Sequence, residues 1–218
     1  MTLALYGHPF SSYTQKVLIA LYENGTPFQF HNVWPESEHT AEWLRRWPIA
    51  KFPLLSDSDR TVAETSIIIE YLQLKHPGSV PLLPVDPLSA LDVRFLDRFF
   101  DLHVMDAAQH AVDGALTGDP TKRADGQSLA EKKLERSYAW LEETLGGRDW
   151  AAGARFTLAD CAAAPALFYA DWVHPISEEF TVLRAYRSRL LARPSFARAV
   201  DEARPFRPLF PLGAPDRD

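Results

Sequence analysis

The sequence predicts an α/β domain followed by an all-helical domain. Apolar segments short enough to be strands alternate with helically spaced ones up to residue 76, and every apolar pattern after residue 88 has helical spacing. The four prolines of residues 77–87 interrupt both periodicities. We therefore predict domains at residues 1–76 and 88–218, joined by a proline-rich linker at 77–87.

The first part has the element order of a thioredoxin-like domain. The predicted elements are a strand at 2–6, a helix ending at Gly25, a strand at 28–30, a helix ending at Pro48, strands at 54–55 and 62, and a helix at 67–74. The first two strands, which a helix connects, should be parallel. The tight turn at 56–60 should make the last two strands antiparallel.

The second part is predicted to be a helical bundle. Its apolar patterns are a stripe of Leu91, Phe95, Phe99 and Leu102, a stripe of Ala130, Leu134, Tyr138, Leu141 and Leu145, a helix at 158–172, and shorter helices at 183–191 and after Pro194. The helix at 158–172 is apolar on nearly all faces, which predicts a position at the centre of the bundle. Thr157 and Asp160 form a capping box at its start.

Composition excludes several classes of protein. With 46% hydrophobic and 24% charged residues the chain is an ordinary globular protein. A net charge of −6 without a basic stripe argues against nucleic acid as a partner. A single cysteine, Cys161, excludes an internal disulfide and suits a reducing compartment. The absence of a basic leader and of a bilayer-length apolar run predicts a cytoplasmic protein without membrane contact.

The stretch from residue 48 to residue 66 carries the first functional signal. Pro53 precedes a strand, and a cis Phe52–Pro53 bond would turn the backbone of Phe52 outward to pair with an extended peptide. Glu64, Thr65 and Ser66 open a helix whose free N–H groups attract an anion, while the Glu64 carboxylate attracts a cation. Each feature alone is common as plain structure. Together they predict a ligand with peptide edges, an α-amino and an α-carboxyl group, a description that glutathione fits.

A serine pair opens the first helix. Ser12 and Gln15 have the spacing of a capping box, which predicts that Ser12 caps the helix and that Ser11 is left free.

At this point the chain resembles the glutathione transferases over nearly its whole length. The segments that carry the resemblance are Ser11-Ser12-Tyr13, residues 51–55, residues 64–72, residues 156–160 and Arg193-Pro194-Ser195. The serine start resembles the zeta and theta-like classes, in which the first serine activates the thiol. The segment His8-Pro9-Phe10 resembles omega-type enzymes, but His8 replaces their cysteine, which argues against thiol-transfer chemistry.

The resemblance implies a role for each matching residue. Ser11 would hydrogen-bond the glutathione sulfur, and Phe52 would pair its backbone with the cysteinyl unit. Glu64 and Thr65 would hold the γ-glutamyl group, with Ser66 beside them. For the glycyl carboxylate, His39 and Lys51 are the two candidates.

The second domain should supply the pocket for a second substrate. His103, Asp106 and His110 have the spacing of one helix face and predict a polar wall or a solvated face. A metal site is disfavoured, because one helix at this spacing cannot wrap an ion. Side chains that could line an apolar wall, or equally belong to the core, are Phe10, Tyr13, Met105 and Trp172.

The leading hypothesis is a homodimeric glutathione transferase that adds the thiolate to a small hydrophobic electrophile, without a metal. A zeta-like, glutathione-dependent cis–trans isomerase is the alternative within enzymes, although Tyr13 replaces the cysteine of the zeta serine start. The alternative from another class is a non-catalytic glutathione-binding or scaffold protein on the same fold.

Overall fold

A computed structural model describes residues 3–218 and confirms the element order of the first part. Its elements are β1 (Leu3–Gly7), α1 (Ser12–Glu23), β2 (Phe28–Asn32), α2 (Thr40–Arg46), β3 (Leu54–Asp57), β4 (Arg60–Ala63) and α3 (Thr65–Lys75). The sheet order is β2-β1-β3-β4, with β1 parallel to β2 and antiparallel to β3, and with β3 antiparallel to β4. Thr2, which the sequence places in the first strand, lies outside the described residues.

The second part is helical, as the sequence predicts. Its elements are α4 (Pro87–Phe99), a π-helical segment (Phe100–Met105), α5 (Asp106–Leu116), α6 (Pro120–Thr144), α7 (Leu158–Val173), α8 (Thr181–Leu191), α9 (Pro194–Ala203) and a 3₁₀ segment (Arg204–Leu209). Within residues 3–218, no helix is both long and apolar enough to cross a membrane.

Helix α7 lies at the centre of the molecule. Every residue from Leu158 to Val173 is buried, and the helix packs against α1, α4 and the π-helical segment. The predicted capping box is present: the Asp160 carboxylate accepts hydrogen bonds from the Thr157 backbone N–H at 2.8 Å and from the Tyr186 hydroxyl at 2.6 Å. Because α7 packs against α1 of the first part and α4 of the second, the two parts share one hydrophobic core.

The two predicted apolar stripes have different surroundings. The stripe at 130–145 is buried throughout. The stripe on α4 is not a core face, since Leu91, Phe95 and Leu102 are 60%, 56% and 55% exposed. Val93 and Leu96 bury the other side of α4, so this helix is apolar on two sides, and the side that carries Leu91 is largely exposed among residues 3–218.

Candidate active site

The N-terminus of α1 is capped by Ser11. Its hydroxyl oxygen accepts a hydrogen bond from the Thr14 backbone N–H at 3.3 Å. This corrects the expectation that Ser12 is the cap, because Ser12 is already the first helical residue. The predicted partner, Gln15, is buried and instead donates to the Pro9 carbonyl and the Tyr169 hydroxyl, each at 3.0 Å. Among residues 3–218 the Ser11 hydroxyl donates to no acceptor, so its O–H can donate to a ligand.

Ser11 faces an apolar cavity between the two parts of the chain, here named the Met105 cavity, with a volume of about 270 Å³. It is lined by Phe10, Ser11, Ser12, Tyr13, Met105, Ala108, Gln109, Val112, Leu116, Tyr169, Val173, Leu209, Phe210 and Pro211. Phe10, Tyr13 and Met105 are therefore brought together as the sequence suggests. The segment Leu209–Pro211 was missed, because it lies after the last helical pattern and contacts the cavity only through the fold.

The other residues proposed for this wall lie elsewhere. The His103 ring packs on Phe99 at 5.2 Å, and His110 Nε2 lies 2.7 Å from Lys133 Nζ on α6. Asp106 is exposed, and Trp172 is buried behind Phe10 with ring centroids 6.3 Å apart. The π-helical segment explains part of this, since its wider turn shifts the phase that a regular helix would keep between residues 103 and 110. Among the described residues, no group of three or more His, Cys, Asp or Glu side chains could hold a metal ion.

A second cavity, named the Glu64 cavity, has a volume of about 300 Å³. It is lined by Tyr13, Trp47, Lys51, Phe52, Pro53, Glu64, Thr65, Arg98, Asp101 and Leu102. The structure thus brings Lys51, Phe52, Glu64 and Thr65 to one place. The Phe52–Pro53 bond is cis, as predicted. Within residues 3–218 the backbone N–H and C=O of Phe52 make no backbone hydrogen bond, so both are available to a peptide ligand.

Glu64 has an unusual backbone conformation. It is the N-cap of α3 with φ 67° and ψ 120°, and its side chain makes no capping hydrogen bond. A non-glycine residue with positive φ costs on the order of 1–3 kcal/mol and persists mainly at functional sites. The side chain is exposed beside the buried Thr65, which leaves the carboxylate free to meet a cation.

Ser66 belongs to an ionic network at the edge of the Glu64 cavity and is not among the residues that line this cavity. Its hydroxyl donates to Asp97 at 2.7 Å and accepts from Lys16 at 3.1 Å and from Arg98 at 2.6 Å. The Lys16 ammonium, 1% exposed, also contacts Asp97 at 2.6 Å and Asp101 at 2.7 Å. The network joins α1, α3, α4 and the π-helical segment, and its Arg98 guanidinium and Asp101 carboxylate line the same cavity as Glu64.

The charges of this network were missed by the sequence reading. Arg98 contacts the Asp101 carboxylate at 2.6 Å, and both side chains line the Glu64 cavity. Burial raises the pKa of the Asp101 carboxyl, while the Lys16 ammonium opposes that shift. The available signal was the cluster of charges at residues 97, 98 and 101 beside the apolar stripe of this helical segment.

Tyr13 stands between the Met105 and Glu64 cavities. Burial, followed by the charges of Asp101 and Asp106, raises the pKa of the Tyr13 phenol to about 12. The phenol therefore stays protonated at neutral pH. It can donate a hydrogen bond to a ligand in the cleft, but it cannot act as a base there.

A third cavity, named the Trp34 cavity, has a volume of about 560 Å³ and shares Ser11 with the Met105 cavity and Phe52 with the Glu64 cavity. It is lined by His8, Phe10, Ser11, Val33, Trp34, Pro35, Thr40, Trp43, Phe52 and Leu209. The Phe10 N–H donates to His8 Nδ1 at 3.2 Å, which places the proton of the neutral ring on Nε2. Burial lowers the pKa of His8, so the ring is neutral at pH 7.

The structure does not place His39 in the wall of the cavities described above. His39 is the N-cap of α2, and its ring is stacked on His31 with centroids 4.0 Å apart. Lys51, the other candidate for the glycyl end, lines the Glu64 cavity.

An α/β domain with a cis-proline cleft, and a helical domain that closes an apolar cavity over the start of α1, define a protein of the glutathione transferase class. Residues 5–80 match the family model described as "Glutathione S-transferase, N-terminal domain", and residues 104–194 match "Glutathione S-transferase, C-terminal domain". The chain belongs to the glutathione transferase superfamily.

Individual relatives agree with this assignment. A solved glutathione S-transferase from Methylobacterium radiotolerans, in complex with glutathione sulfonate, is 34% identical, with 92% of this chain and 95% of that chain covered and a TM-score of 0.76. Glutathione S-transferase F13 of Arabidopsis thaliana is 28% identical over 206 residues, covering 90% of this chain and 94% of the relative. A Stringent starvation protein A homolog of Coxiella burnetii is 28% identical over 204 residues, covering 92% of each chain.

Proposed function

We propose that this protein is a glutathione transferase that binds glutathione along Phe52 and adds its thiolate, held by Ser11, to a small hydrophobic electrophile. The observation that carries the proposal is the position of Ser11. Its hydroxyl caps α1 and lies in the walls of both the apolar Met105 cavity and the Trp34 cavity, which Phe52 also lines. In this proposal residues 1–76 form the domain that binds glutathione, and residues 88–218 form the domain that supplies the electrophile pocket. Residues 77–87 connect the two domains.

The charges of the Glu64 cavity suit the γ-glutamyl end of the tripeptide. Its ammonium would meet the carboxylates of Glu64 and Asp101, and its carboxylate would meet the Arg98 guanidinium and the N-terminus of α3 at Thr65. The cysteinyl unit would pair with the backbone of Phe52, as an added strand does. In this orientation the sulfur would lie toward Ser11, which lines the Trp34 cavity together with Phe52.

The glycyl end has a weaker electrostatic anchor. Lys51 is the candidate on the Glu64 side. His39 lines none of the three cavities, and its ring is stacked on His31 with the centroids 4.0 Å apart. We therefore favour Lys51, and the glycyl end is expected to contribute less to affinity than the γ-glutamyl end.

The hydroxyl of Ser11 can stabilise a thiolate while it caps α1. A free thiol has a pKa of about 8.5 and is about 3% ionised at pH 7. Lowering that pKa to about 6.5 requires about 2.7 kcal/mol and raises the thiolate roughly 25-fold. A Brønsted slope near 0.45 removes about eightfold of this gain, which leaves a factor of about three. Most of the acceleration must therefore come from holding sulfur and electrophile together.

The Met105 cavity would hold the electrophile. Its walls are mostly apolar and include Val112, Leu116 and Phe210, and its volume of about 270 Å³ limits the substrate to a small molecule. Tyr13, protonated at neutral pH, could donate a hydrogen bond to a polar group of the electrophile.

The uncovered side of α4 supports a homodimer. The exposed apolar side chains on α3 and α4 include Ile67, Leu74, Leu88, Leu91 and Phe95. Large exposed apolar surfaces are typical of protein–protein interfaces. In the dimer this surface would be buried against its copy.

The second candidate is a glutathione-binding protein without turnover, and the similarity to a Stringent starvation protein A homolog, whose name denotes no transferase, favours it. A panel of electrophiles assayed with glutathione, including isomerisable cis-dienoic acids, separates the candidates. Turnover that falls in Ser11→Ala supports an enzyme. A glutathione conjugate as the product supports the transferase, and an isomerised substrate supports the isomerase. Binding of glutathione with turnover equal to the uncatalysed rate supports the binding protein, and no binding refutes both.

A further inference from the structure

A polar cavity on the helical part shares no lining residue with the cavities around Ser11. It has a volume of about 430 Å³ and is lined by Asp171, Pro175, Ile176, Arg184, Arg187, Ser188, Arg217 and Asp218. We name it the Arg187 cavity. Its volume falls within the range of small-molecule sites, about 300–1,000 Å³.

The guanidinium of Arg187 is poorly compensated. Its side chain is 12% exposed, and its Nη2 contacts Asp171 Oδ2 at 3.2 Å. Yet neither Nε nor Nη2 has a hydrogen-bond partner within residues 3–218. Burial lowers the pKa of this guanidinium, and Asp171 opposes the shift only in part. These two nitrogens are closed off from solvent, so a ligand in the adjoining cavity would act by compensating the charge of the guanidinium rather than by pairing with them.

The carboxylates at the cavity are already engaged. Asp171 is shared, because Arg217 contacts the same Oδ2 and the Ile176 N–H donates to Oδ1 at 2.8 Å. Asp218 is held by Arg204, at 2.6 Å, and by Arg207. Neither carboxylate is left to pair with a further cation.

Arg184 adds a second guanidinium without a carboxylate. Its Nη1 donates to the Ile176 carbonyl at 3.1 Å, and it forms no ion pair with any of the described residues. Two guanidiniums without a full counter-charge match the charge of a phosphate monoester, about −1.5 to −2 at pH 7. A carboxylate would supply only one charge. The forked geometry of arginine suits phosphate oxygens.

We propose that the Arg187 cavity binds a phosphate group, with Arg184 and Arg187 as its ligands. Ser188 lies in the same wall and can donate its hydroxyl to a phosphate oxygen. The phosphate can come from inorganic phosphate or from a small phosphomonoester whose organic part fills the rest of the cavity. The proposal does not rest on the glutathione chemistry.

The test is a titration of the full-length protein with inorganic phosphate, acetate and chloride at constant ionic strength, followed by calorimetry and by the thermal midpoint. Phosphate should bind saturably and raise the midpoint, and acetate and chloride should not. Arg184→Gln removes one charge-assisted contact at an exposed position and should raise the phosphate Kd at least about tenfold. Arg155→Gln makes the same charge change in an exposed loop and should leave the Kd unaltered.

Arg187→Lys is a second variant, which keeps the buried positive charge but loses the planar guanidinium with its several N–H donors. It should weaken phosphate binding while circular dichroism shows an unchanged fold. A titration with glycerol phosphate distinguishes a phosphomonoester from inorganic phosphate as the ligand. If glycerol phosphate binds more tightly than inorganic phosphate, the ligand is a phosphomonoester. If the two bind equally, the ligand is the free ion. The proposal is overturned if phosphate shows no saturable binding, if acetate binds equally well, or if Arg184→Gln binds phosphate like the unaltered protein.

Discussion

Replacing Ser11 should change both the stability of α1 and the ionisation of bound glutathione, and the two effects can be separated. Ser11→Ala removes the acceptor that caps Thr14 N–H at 3.3 Å, which should cost about 1 kcal/mol. For a chain of 218 residues, the melting midpoint should fall by about 2–4 °C. Ser11→Gly should lose only a few tenths of a kcal/mol, because glycine is a tolerable N-cap.

Both variants should affect the thiol in the same way. A hydrogen bond to a charged group contributes about 1.5–3 kcal/mol, so its loss should raise the pKa of bound glutathione by about 1–2 units. At pH 6.5 the fraction of bound glutathione that is ionised is then much smaller in the variants than in the unaltered protein. The thiolate in the variants is intrinsically more nucleophilic, which offsets part of this loss, so the rate of the chemical step should fall by about two- to sixfold. Near pH 9.5 the variants should be faster than the unaltered protein. Bound glutathione is then largely ionised in both, and the thiolate in the variants is about three- to sevenfold more reactive.

The assay is ultraviolet absorbance of the bound thiolate against pH, with single-turnover rates for one reactive electrophile over the same range. Ser12→Ala is the matched control, because Ser12 is the first helical residue and does not cap α1. It should shift neither the thiol pKa nor the melting midpoint. The reasoning is refuted if Ser11→Gly leaves the absorbance midpoint in place, or if the pH–rate curves of Ser11→Gly and the unaltered protein do not cross.

Three further predictions follow from the surroundings of the cleft. Glu64→Gln should raise the KM for glutathione several-fold with little change in kcat, because it acts on the non-reacting end; steady-state kinetics in which kcat falls and KM does not would contradict this. Lys16→Met leaves the buried carboxylates of Asp97 and Asp101 without their ammonium. Loss of one partner of a buried ion pair typically costs about 3–5 kcal/mol, so the thermal midpoint should fall by at least about 6 °C. A smaller fall would show that the network contributes little to stability. Phe95→Glu places a charge on the uncovered side of α4 and should yield a monomer in sedimentation velocity, and a dimer as tight as that of the unaltered protein would remove α4 from the interface.

Local sequence signals were sufficient for the fold and for part of the cleft. The proline before β3 and the Glu64-Thr65 helix start are local features, and the structure brings them into one cavity with a cis Phe52–Pro53 bond. The capping box at Thr157 was found for the same reason, because its partners are three residues apart. Features that a few neighbouring residues determine can be predicted from those residues.

Features that depend on distant partners could not be predicted in this way. Gln15 has the spacing of a capping-box partner for Ser12. Its side chain instead donates a hydrogen bond to the hydroxyl of Tyr169, which lies far away in the sequence. The π-helical segment removes the register on which the His103 to His110 pattern depends. The apolar face of α4 has the periodicity of a core stripe, and only the packed structure shows that the other face is the one buried.

The structure of this protein with glutathione bound tests the central claim most directly. We expect the tripeptide to lie beside Phe52 with its γ-glutamyl group at Glu64 and Arg98, and its sulfur within hydrogen-bond distance of Ser11 Oγ. A glutathione molecule with its sulfur directed away from Ser11, or a cleft that stays empty at saturating glutathione, would contradict the claim.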